Sequence, residues 1–91
     1  MGIFQIFTER KAIMDIMLEN ELKNVYFDDL FYMNSDGSRI DILKVENTGF
    51  EFLITFEEND KQSTILGKDS NMIMISMIYL RIQKMVREFN V

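Results

Sequence analysis

Between Phe50 and Glu57 the chain alternates. Phe50, Phe52, Ile54 and Phe56 fall on one side of an extended strand and Glu51, Thr55 and Glu57 on the other, with Leu53 the exception. A period of two suits a β-strand that hides one face, and a helix cannot use it. A single strand is not stable alone, because its backbone groups need partners and its aromatic face needs a cover. The rest of the sequence has to supply both.

The partners are legible on either side. Val25 to Met33, rich in aromatic and β-branched residues, reads as one strand with Val25, Phe27, Phe31 and Met33 on a common face that Asp29 interrupts. Asn34-Ser35-Asp36-Gly37 follows, and Asp-Gly between two strand-like runs signals a hairpin because both residues tolerate positive φ. Arg39 to Asn47 is the next strand. Its alternation breaks, with Ile40 and Ile42 pointing one way and Leu43 and Val45 the other, so either a bulge sits there or both faces are covered. Thr48-Gly49 and Glu58-Asn59-Asp60 mark two further turns, and Gln62 to Leu66 reads as a short edge strand that Gly67 ends.

The cover comes from the two ends. Thr8 to Lys23 is an expected helix, with Thr8 as N-cap and Glu9 placed to suit the dipole. Met14, Leu18 and Leu22, with Met17 beside them, make its apolar face, and the segment Ile3-Phe4-Gln5-Ile6-Phe7 either extends the helix or lies across another element. Asn71 to Phe89 is the second helix, capped by Asp69 or Ser70, with Ile75, Ile78, Ile82, Met85 and Phe89 forming one seam. Residues 71–80 are apolar enough for a buried strand, but length and the cap decide for helix. The expected fold is a single α+β domain over residues 1–91, in the order α-β-β-β-(β)-α. An antiparallel sheet of three or four strands packs against an N-terminal and a C-terminal helix.

Composition narrows the function. The chain has no Cys and no His, which removes most nucleophile–base pairs, most zinc sites and every imidazole proton shuttle. A thin core without disulfides points to a reducing, cytoplasmic setting. Met1 to Phe7 lacks the basic stretch and cleavage site of a signal peptide, and no apolar run reaches the roughly 20 residues of a membrane span. Net charge is −5: residues 25–60 hold nine acidic and two basic groups, residues 61–91 two acidic and five basic. The acidic middle disfavours direct binding to nucleic acid. No cofactor is expected.

Five constellations remain. Ile73, Met74, Met77 and Leu80 form a second apolar face on the last helix, where a helix on one side of a sheet needs only one. That surface reads as a contact with another protein or with a second copy of the chain. Its competitor is a helix sandwiched between sheet and first helix. Glu57, Glu58 and Asp60 lead an acidic surface that is either a solvated outer face or an imitation of a nucleic-acid backbone that blocks a DNA- or RNA-binding protein; the solvated face is the preferred reading. Asn34 to Gly37 fails as a calcium loop, since Tyr32 and Leu43 stand where carboxylates are needed. Asp28 and Asp29 are adjacent on a strand and point to opposite faces, so they do not make a catalytic pair unless a bulge intervenes. Arg81, Lys84 and Arg87 are a solvated helix end before they are an anion grip. The reading is a non-catalytic protein–protein interaction module, a small inhibitor, immunity or accessory protein. A structural or regulatory homodimer and the acidic mimic are the alternatives.

Overall fold

A computed structural model describes the backbone of residues 3–89 and the side chains from Glu9 to Phe89. The elements are α1 (Ile3–Glu19), β1 (Asn24–Tyr26), β2 (Phe31–Met33), β3 (Arg39–Asn47), β4 (Phe52–Glu58), β5 (Lys61–Leu66), a 3-10 turn (Gly67–Asp69) and α2 (Met72–Phe89). The sheet is antiparallel in the order β1-β3-β4-β5, and β2 continues the line of β1 along β3. Both helices contribute to one core with a single face of this sheet. The architecture is the α+β arrangement that the sequence implies.

The expected strand from Val25 to Met33 is divided. Phe27 N–H donates to the Leu43 carbonyl at 2.9 Å, and the Leu30 carbonyl accepts from Ile42 N–H at 2.8 Å. Asp28 and Asp29 leave the ladder between those two bonds, and both are exposed. A continuous strand would have aimed Asp29 at the apolar face, and an unpaired buried carboxylate is costly. The excursion also changes the face: Val25 and Phe27 are buried, whereas Phe31 and Met33 lie exposed on the opposite side and Leu30 and Tyr32 pack against the core. The common face of Val25, Phe27, Phe31 and Met33 is thereby corrected.

In β3 the broken alternation is a bulge. Its pairing with β4 slips by one residue between Ile42 and Lys44, so that Ile40, Ile42 and Val45 all reach the core. In the turn before β3 only Gly37 takes positive φ, 90°; Asp36 instead accepts hydrogen bonds from Ser38 N–H at 2.9 Å and Ser38 Oγ at 2.7 Å. Those bonds, the hydroxyl first, hold the Asp36 carboxyl below its ordinary value. Between β4 and β5, Asn59 and Asp60 both have positive φ, which suits a two-residue hairpin turn and sets Glu58 opposite Lys61. The short edge strand β5 pairs within its own chain.

The helices depart from expectation at their ends. The backbone of α1 is helical from Ile3, so Thr8 lies inside the helix and is not its N-cap; the side chains of Ile3, Phe4, Ile6 and Phe7 fall outside the described residues. Its buried face centres on Ile13 and Met17, while Leu18 is exposed. It stops at Glu19 in a Schellman arrangement: Glu21 adopts φ 55°, Glu21 N–H donates to the Leu18 carbonyl at 3.1 Å and Leu22 N–H to the Met17 carbonyl at 2.7 Å. The N-cap of α2 is Asn71, neither Asp69 nor Ser70, because Asn71 Oδ1 accepts the Met74 N–H at 2.8 Å. Ile75, Ile78 and Ile82 are fully buried. Each contributes about 1.5–3 kcal/mol before ordering entropy is set against it. The seam does not reach Phe89, which is exposed.

Candidate surface on the second helix

The residues singled out on α2 separate. Ile73 is 55% exposed and Leu80 61%, with Met77 half-buried between them. Met74 is 4% exposed and belongs to the core. The division follows from helix geometry. At about 100° per residue, positions 73, 77 and 80 fall within one narrow stripe roughly opposite 78 and 82, while 74 lies about 100° from 73, on the core side. The buried arc is wider than the isoleucine seam because sheet and α1 together enclose the helix. Ser76, on the flank towards α1, donates to Glu9 Oε2 at 2.8 Å and ties the two helices together.

The stripe therefore keeps three of its four expected members. It continues towards the C-terminus into Lys84 and Arg87, both exposed. Arg81 sits to one side and donates to Asp29 Oδ1 at 3.1 Å, pinning the β1–β2 excursion to the helix. This bond gives Asp29 and Arg81 a structural use that the sequence does not announce.

The acidic residues do not assemble into one surface. Glu57 and Glu58 are neighbours on β4 and take opposite sides, and Asp60 lies in the turn beyond. On the open face of the sheet Glu57 and Asp41 are register partners, with Lys44 further along and Arg39 bound to Asp41 at 2.8 Å. Arg39 also stacks on Phe31, its guanidinium carbon 4.0 Å from the ring centroid. Tyr26, Phe31 and Met33 give the same face apolar character, and of these sequence alternation had assigned Phe31 and Met33 to the core side. Among the described residues no group of three or more His, Cys, Asp or Glu side chains is placed to hold a metal ion.

Two concavities lie away from the stripe. One, of about 530 Å³, opens between β1 and the end of α2, where Asn24, Val25 and Tyr26 all line it together with Met85 and Phe89. Three successive strand residues share a lining only where a cavity wraps a strand edge, since alternate side chains point to opposite faces. The other, of about 240 Å³, lies beside the β3–β4 turn. Phe50 stands at that turn, 96% exposed, outside β4 and away from the buried face that alternation gives it. Lys11 Nζ donates to Asp15 Oδ2 at 2.8 Å beside this second concavity, and that bond, then the carboxylate's charge, raises the Lys11 ammonium above its usual value.

No family model, no curated protein and no solved structure matches the chain. No helix among the described residues is long and apolar enough to cross a membrane.

Proposed function

We propose that this chain is a non-catalytic protein-binding module, of the inhibitor, immunity or accessory kind, that works in the cytoplasm and engages another protein through α2. One observation carries the reading: Ile73 and Leu80 stand more than half exposed, with Met77 between them, on the side of α2 turned away from the isoleucine core. A large apolar side chain on that side is only partly covered by the fold of its own chain. Buried against a partner, each would contribute about 1.5–3 kcal/mol. The flexible thioether of Met77 lets the stripe adapt to the shape it meets, and Lys84 and Arg87 extend it with positive charge that suits an acidic rim.

The composition supports the same reading. A chain with neither imidazole nor thiol has few routes to acid–base or nucleophilic chemistry.

A photo-crosslinking amino acid at position 80, compared with one at the exposed position 62 on β5, tests it in cells of the chain's origin. We expect one discrete adduct with a different protein from position 80 and none from position 62. Ile73→Glu should abolish that adduct while leaving the circular dichroism spectrum unchanged. Equal labelling from the two positions, or an adduct indifferent to Ile73→Glu, removes the assignment. An adduct of twice the chain's mass replaces it with self-association through α2.

A further inference from the structure

The turn between β3 and β4 is more firmly built than a connection requires. Asn47, itself buried, accepts the Gly49 N–H on Oδ1 at 2.8 Å. Thr48 donates its N–H and its Oγ1 hydroxyl to the Glu51 carbonyl, each at 3.0 Å. Thr48 Oγ1 accepts in return from Glu51 N–H at 3.3 Å and Phe50 N–H at 3.4 Å. Gly49 supplies the positive φ, 94°, that closes the loop. The effect is to hold one phenyl group, Phe50, almost wholly in water. A rigid aromatic presented this way loses little entropy on burial, and such residues dominate contact energies between proteins.

Phe50 borders the cavity of about 240 Å³ without filling it. Among the described residues the floor of that cavity is Met14, Phe52, Leu66 and the bare α-carbon of Gly67. A Cβ at Gly67 would overlap the Phe52 ring, so glycine is what lets Phe52 lie flat there. An apolar cavity of about 150 Å³ is enough to hold a benzene ring. The depression is open to solvent and roomy enough for a phenyl group, and Phe50 of the same chain does not fill it. Glu51 lines the cavity together with Arg10, Lys11 and Lys68, so its rim carries both signs of charge.

Knob and hole lie in one patch, and an acid, Glu51, and a base, Lys68, share its rim. That is the self-complementarity a twofold contact demands. We propose that two copies of this chain associate through the β3–β4 turn, each inserting Phe50 into the other's cavity and carrying its Glu51 to the other's Lys68. None of the residues lining this patch belongs to the α2 stripe. The contact does not draw on the α2 reading, and different substitutions test the two.

Sedimentation velocity over a dilution series, on the full chain and its variants, decides the matter. Wild type is expected to shift from monomer to dimer as concentration rises. Phe50→Ala should weaken association by at least about a hundredfold with an unchanged circular dichroism spectrum, since each dimer loses two buried rings. Glu51→Lys and Lys68→Glu should each weaken it by about fivefold, and the double exchange should restore it. In a dimer of mixed isotope labelling, the Phe50 ring protons should show intermolecular contacts to the methyl groups of Met14 and Leu66. A wild type that stays monomeric throughout overturns the proposal. So does a dimer that tolerates Phe50→Ala, or one that Leu80→Glu dissolves, or charge exchange without rescue.

Discussion

The two sides of α2 carry the same kind of side chain to opposite ends. On one, Ile75, Ile78 and Ile82 are sealed between sheet and α1; on the other, Ile73 and Leu80 meet solvent. The residue types are nearly the same, so hydrophobicity alone does not tell core from surface. What separates them is the angle about the helix axis and the number of elements within reach. A face that two neighbours enclose becomes structural, and the same chemistry turned away from them stays in solvent.

Substitutions along α2 can break that contrast. Met74→Glu should have the largest effect. An unpaired carboxylate in the core costs about 3–5 kcal/mol, against a typical total stability of about 5–15 kcal/mol. We expect loss of the cooperative thermal transition, and an intact transition would mean that Met74 is not enclosed. Ile78→Ala should follow at about 2–4 kcal/mol, the transfer loss plus the cavity it leaves, read from urea midpoints at constant slope. Asn71→Ala removes the bond to the Met74 N–H and should cost about 1 kcal/mol by the same measurement. Leu80→Glu should change stability by less than about 0.5 kcal/mol while lowering partner affinity at least tenfold. If Leu80→Glu unfolds the chain instead, the two sides of the helix are not distinct and the stripe belongs to the core.

Much of this was readable from the chain itself. β3 occupies Arg39–Asn47 as the residue types imply, and its failed alternation at Leu43 marks the bulge. The run from Val25 to Met33 misleads because aromatic residues favour strands without saying which face they take. The informative signal was polar: Asp28 and Asp29 in succession do not both remain on a ladder with one buried face. Phe50 misleads in a related way, since the alternation that starts on it has no knowledge that Thr48 and Gly49 spend it in a turn. At the candidate surface, Ile73 and Leu80 follow from helical spacing, whereas Met74 does not. Periodicity gives the direction of a buried face; its breadth depends on how α1 and the sheet together embrace the helix, which is a tertiary fact.

The slip in β3 has a consequence for how this chain can change. Strand side chains obey a two-beat rule, and the extra beat at the Ile42–Lys44 step brings Ile40 and Ile42 into phase with Val45. Deleting Leu43 would strike out that extra beat and leave Ile42 and Lys44, which already pair with the consecutive residues Phe56 and Thr55, in plain alternation. Adding one more residue there would act as a frameshift acts on a message, with core side chains on one side of it cast into water and charged neighbours sent inward. The strand's midpoint reads true with one letter fewer and false with one letter more.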